Sequence, residues 1–143
     1  MRSNGTFKYE KQIYFMIPIK KYIPGIAWFF FVLVLLCLPG SGLPKADNFF
    51  DKIFFDKWVH AGLFCVLTFL WMRPIGLLKI EISEKRYYFI RIALAFIVWG
   101  ITTEFIQKYL VVTRSFDLLD WAADTFGVLI AFLYCKKVYL VKK

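Results

Sequence analysis

Four stretches of the chain are apolar for long enough to suit lipid, and each is closed by charged residues or a turn. The first, IPGIAWFFFVLVLLCL, covers Ile23–Leu38 and stops at Pro39-Gly40-Ser41-Gly42. The second begins near Trp58, continues through AGLFCVLTFLWM and ends at Arg73-Pro74. The third, YYFIRIALAFIVWGITTEFIQKYL, runs from Tyr87 to about Leu110, and the fourth from about Phe116 to Tyr134, before Lys136-Lys137. A helix needs about 20 mainly apolar residues to cross a bilayer. These runs therefore predict four transmembrane helices over about residues 22–38, 57–73, 87–109 and 116–135. The expected fold is an all-α integral membrane protein, a bundle of four transmembrane helices forming a single domain over residues 1–143.

The polar residues inside these runs are not scattered. DKWVH places Asp56 and His60 one turn apart at the start of the second helix, and TEFIQ places Glu104 and Gln107 together at the end of the third. Asp117, Asp120 and Asp124 form one stripe at the start of the fourth, continuing into Gly127 and Ala131. In an up-down bundle these groups share one end. Arg91 is the exception, near the opposite end of the third helix, where its long side chain can snorkel to the surface. A charge at the centre of a membrane helix costs about 2.5–3.5 kcal/mol on insertion scales, so the carboxylates are expected to face one another across the bundle. Small residues (Ala93, Gly100, Gly127 and Ala131) would let the third and fourth helices approach closely behind them.

The basic residues set the expected orientation. They fill the N-terminal arm (Arg2, Lys8, Lys11, Lys20, Lys21), the loop between the second and third helices (Arg73, Lys79, Lys85, Arg86) and the tail (Lys136, Lys137, Lys142, Lys143). The other two loops carry Lys45, Lys52 and Lys57, then Lys108 and Arg114. Positive loops stay inside, so both termini are expected to be cytoplasmic and the acidic end to face outward. The long basic region before the first helix and the absence of a small-residue cleavage site argue for a retained helix and not a signal peptide.

Composition agrees with lipid as the solvent: 60% of residues are hydrophobic, 21% aromatic, and mean hydropathy is +0.60. The net charge of +9 flanks the apolar blocks and forms no single basic face, which argues against nucleic acid as a partner. Cys37, Cys65 and Cys135 sit singly in apolar runs, as packing or lipid-facing residues and neither disulfides nor zinc ligands. KADNFFDKIFFDK puts Phe49, Phe50, Ile53 and Phe54 on one side at helical spacing. That spacing suits a short interfacial helix on the outer leaflet; an irregular lead-in is the alternative.

DKWVH opening one helix, EFIQ closing the next and RxxDxxDxxxDxxG entering the last resemble the VanZ-like family of small bacterial membrane proteins. The resemblance covers about residues 50–132 and maps onto Asp56, Lys57, His60, Glu104, Gln107, Arg114, Asp120 and Gly127. Asp124 departs from it, since many relatives have Asn there. The resemblance implies the bacterial cytoplasmic membrane, a cell-envelope role and a link to resistance against the glycopeptide teicoplanin.

Two functions fit these residues. In the first, Asp56, His60, Glu104, Gln107, Arg114, Asp117, Asp120 and Asp124 line an outward pocket for the headgroup of a membrane lipid or lipid-linked envelope intermediate, Arg114 contacting phosphate. In the second, the protein is a metal-assisted hydrolase or transferase acting on such a lipid. His60, Glu104, Asp120 and Asp124 would then ligate a hard divalent cation or pair as general acid and base. The acid surplus favours a cation or proton in the pocket. Structural alternatives stand beside both. Asp117 could simply start a helix, favoured by the helix dipole. Arg114 could anchor a headgroup or pair with Asp117, Lys57 could snorkel, and the whole network could be fully paired and serve only helix register.

Overall fold

The structure is a computed structural model that describes residues 18–37, 49–111 and 115–141, with side chains from residue 55 onward in the second stretch. It is all-helical among these residues. A single 3-10 turn at Ile19–Lys21 leads into four α-helices: α1 (Ile23–Leu36), α2 (Phe49–Gly76), α3 (Ile82–Leu110) and α4 (Leu118–Tyr139). Three of them contain stretches long and apolar enough to cross a membrane, at Phe55–Gly76, Ile82–Leu110 and Leu118–Tyr139. α1 is apolar but short, with 14 helical residues, and Leu38 at the end of its predicted span lies outside the described residues.

Several boundaries differ from those the sequence suggests. α2 does not stop at Arg73-Pro74 but carries Pro74 inside its last turn. Proline removes one backbone donor, yet its fixed φ is helical, and so near a helix end the turn can still close. At the other end α2 is continuous from Phe49, so the segment expected as a separate interfacial helix is the first part of α2. α3 starts at Ile82, a turn earlier than the apolar run, because Ser83-Glu84-Lys85-Arg86 needs no lipid to be helical. Lys85 Nζ also donates to the Gly76 carbonyl at 2.8 Å, satisfying one of the open carbonyls at the end of α2. α4 runs past Lys136-Lys137 to Tyr139, since cations are favoured at a helix C-terminus.

The helices alternate up and down. α2 and α4 run in the same direction and make the most extensive contact, with α3 antiparallel to both and α1 packed on α2 and α3. Gly127 explains how close α2 and α4 come: a Cβ there would lie 3.0 Å from Ala61 Cα and closer still to its carbonyl. The small residue expected to serve the α3–α4 contact thus serves α2–α4. Gly100 does serve α3–α4, where a Cβ would meet Asp124 Cβ at 3.2 Å and the Trp121 ring at 3.3 Å. Two indoles tie helices together through backbone carbonyls, Trp28 Nε1 to Leu63 O and Trp121 Nε1 to Ile97 O, both at 3.1 Å.

The core holds Val32 and Leu36 of α1, Phe64, Leu67 and Met72 of α2, Phe89 and Phe96 of α3, and Val128 and Cys135 of α4. The outer surface is apolar as well, with Phe30, Phe31, Val66, Leu94, Val98, Leu129 and Leu133 exposed. An exposed band of this kind suits lipid and not water. All three cysteines are free, Cys135 buried and the other two half-buried. Arg91 lies over the Tyr87 ring, 5.4 Å from its centroid, in the basic half of the bundle.

Candidate functional site

The up-down order brings three helix ends together. α2 contributes Asp56, Lys57 and His60 from its outer turns, α3 contributes Glu104 from its last turns, and α4 begins with Asp120 and Asp124. Asp117 is the α4 N-cap: its backbone is extended, and its Oδ1 accepts the Leu119 N–H at 2.8 Å. Carboxylates at a helix start are favoured by its free N–H groups and its dipole. This local reason places Asp117 and Asp120. It does not explain Asp124, a full turn deeper.

Lys57 organises the outer layer. Its Nζ lies 2.6 Å from Asp117 Oδ2 and is also paired with Asp120 Oδ1. Burial works against ionisation of Asp117, but the bonds from Lys57 and the Leu119 N–H outweigh it and hold the carboxyl below the usual range. Glu104 reaches across from α3, and its Oε2 accepts the Asp117 N–H at 3.0 Å. The deeper layer is His60 and Asp124, with Nδ1 to Oδ1 at 3.0 Å, and His60 Nε2 lies 3.9 Å from Asp120 Oδ2.

Burial is nearly complete: Glu104 and Asp124 are 0% exposed, His60 1% and Asp120 6%. Three polar atoms nevertheless find no hydrogen-bond partner among the described residues, His60 Nε2, Glu104 Oε1 and Asp124 Oδ2. An unmatched buried polar atom costs about 1–3 kcal/mol, more when charged, so a further partner at any of the three would be stabilising. Two overlapping triads offer ligand atoms within 4.8 Å of one another, His60 with Glu104 and Asp124, and His60 with Asp56 and Asp120.

Not every expected pocket residue converges there. Gln107 is buried, but its Nε2 donates to Leu36 O at 2.9 Å and so fastens α3 to the end of α1. Asp56 sits at the rim, half-buried. Arg114 lies outside the described residues. Lys57 is the residue sequence reasoning undervalued: it does not snorkel but closes on two carboxylates. The signal was present, since Lys57 and His60 are i, i+3 on one face, and clustered carboxylates demand a nearby cation.

A cavity of about 770 Å³ lies elsewhere, between α1, α2 and α3, lined by Tyr22, Phe29, Trp71, Arg91, Phe96 and Trp99. Its apolar walls suit an acyl chain. The titratable chemistry belongs to the other end of the bundle. Comparison with protein-family models finds no match, and neither the curated proteins nor the solved structures searched include one that matches this chain.

Proposed function

We propose that the protein is a multi-pass protein of the bacterial cytoplasmic membrane whose acidic end binds the polar headgroup of a membrane lipid or lipid-linked envelope intermediate. Four crossings with both termini cytoplasmic put that end at the outer leaflet. Opposite it lie Arg73, Lys79, Lys85, Arg86, Lys136 and Lys137, as the positive-inside tendency requires. α1 supports a fourth crossing, because its C-terminal end is fastened at the acidic end by Gln107 and its start packs at the basic end, Tyr22 against Trp71.

The observation that carries the binding role is the group of buried ionisable side chains with unmatched ligand atoms at His60, Glu104 and Asp124, gathered at one end of the bundle. Ionisable groups at membrane depth mark sites by default. Lys57 supplies the positive charge for a phosphate or carboxylate, and the carboxylates accept from hydroxyl or amine donors. The resemblance to the VanZ-like family supports an envelope substrate and, with it, an effect on teicoplanin sensitivity.

Native mass spectrometry of detergent-purified protein tests the proposal. Wild type and Cys65→Ala should retain an envelope lipid, and Asp120→Asn and His60→Ala should lose it while inserting normally. Protein that carries no lipid, or carries it equally in all four, overturns the assignment.

A further inference from the structure

We propose that the inner corner where His60, Glu104 and Asp124 meet is a binding site for a divalent ion of the Zn²⁺ or Mn²⁺ type, with Asp120 and Asp56 at its rim.

Geometry comes first. One ligand atom from each of the three lies within 4.8 Å of the others. Donors about 2.0–2.2 Å from a shared tetrahedral ion lie about 3.3–3.6 Å apart, so drawing the three onto one ion takes a movement of about an ångström or less by each side chain. The 3.0 Å contact between His60 Nδ1 and Asp124 Oδ1 fits either of two arrangements. The two atoms could be neighbouring ligands, or Asp124 could hold the imidazole tautomer while the other nitrogen faces the ion, as carboxylates do behind metal-bound histidines.

The second observation is independent of clustering. His60 Nε2, Glu104 Oε1 and Asp124 Oδ2 are all enclosed and unmatched, on residues no more than 1% exposed. Their three residues meet in one corner, so a single ion between them would give these atoms a partner together.

Charge supplies the third argument. Lys57 is committed to Asp117 and Asp120 in the outer layer. Among the described residues the inner layer has two carboxylates and one imidazole, and once they have given up their protons to bind a metal these three ligands carry −2, which a +2 ion matches. Its mixed nitrogen and oxygen donors suit Zn²⁺ or Mn²⁺; Ca²⁺ would seek six to eight oxygens.

The experiment uses full-length protein in detergent, stripped with chelator and titrated separately with Zn²⁺ and Mn²⁺, bound metal being counted by elemental mass spectrometry. Wild type should take up one equivalent of at least one ion and unfold at a higher temperature with it. Glu104→Gln and Asp124→Asn should each weaken uptake about 10-fold or more, whereas Cys65→Ala, remote from the corner, should retain it. Because wild type alone can decide, a variant that fails to fold does not shield the proposal. It is overturned if wild type binds neither ion, or if uptake is unchanged in both carboxylate variants, which would place the metal elsewhere. Metal binding without retained lipid supports this site and counts against the headgroup proposal; lipid without metal does the reverse.

Discussion

Lys57→Met removes the cation between Asp117 and Asp120 while preserving much of the side chain's length. Lys57 and Asp120 are largely enclosed, with 19% and 8% of their side chains exposed, whereas Asp117 is 40% exposed. Breaking one partner of a buried pair costs about 3–5 kcal/mol, because the other charge stays behind without compensation. The Asp117 pairing is partly screened and adds little. Loss of about 3 kcal/mol is therefore expected, roughly a 100-fold change in the folding equilibrium. Equilibrium unfolding in mixed mild and denaturing detergent measures it. The decisive arm is a double-mutant cycle: Asp120→Asn removes the stranded charge and should restore about 2 kcal/mol to Lys57→Met. If Lys57→Met unfolds within about 0.5 kcal/mol of wild type, or the double variant recovers nothing, the pair contributes no net stability and Lys57 is merely placed there.

Gly127→Ala should destabilise by about 1–3 kcal/mol, because its Cβ would press on the Ala61 backbone, while Gly62→Ala, with nothing within 4 Å, should be near neutral in the same thermal assay. Equal effects would refute the close α2–α4 contact. A cysteine placed at Ser41 in a cysteine-free background should react with an impermeant thiol reagent on intact cells, and one at Ser83 should not; the reverse labelling inverts the proposed topology. Asp117 has a lowered carboxyl pKa, so its charge stabilises the fold above the ordinary carboxylate range, and that stabilisation is lost as pH falls through the lowered value. Asp117→Asn keeps a good cap but not the charge, so it should flatten the acid limb of stability below about pH 4; an unchanged acid limb would show that the Lys57 contact is not electrostatic.

Helix number was legible because hydropathy is a property of each segment by itself. Helix ends were less so. The apolar runs mark where lipid would begin, but backbone hydrogen bonding goes on past them into Ser83–Arg86 and Lys136–Tyr139. Pro74 misled in a similar way, since its penalty depends on its distance from the helix end. At the site, periodicity put Asp56 and His60 on one side of α2 and Glu104 and Gln107 on one side of α3, and all of these but Asp56 are buried. It could not say that Gln107 would reach α1 while Glu104 reached α4. That choice depends on which neighbour lies within reach of each side chain. Lys57 was misread for the same reason: its reach allows either the headgroups or the bundle, and only the positions of Asp117 and Asp120 decide.

The Gly127–Ala61 contact also bears on why the inner layer is left unmatched. It lies one turn below Asp124 and closes the bundle beneath the site, while Gly100 brings α3 against Asp124 from the side. Asp124 therefore cannot shift deeper into the bundle, and His60 is held by the same contact, one residue before Ala61. In lipid, the walls offer no compensating partners. Among the described residues, His60 Nε2, Glu104 Oε1 and Asp124 Oδ2 are left unmatched on the inner side of the Lys57, Asp117 and Asp120 layer. Tight packing below and a charged pair above enclose the corner on two sides.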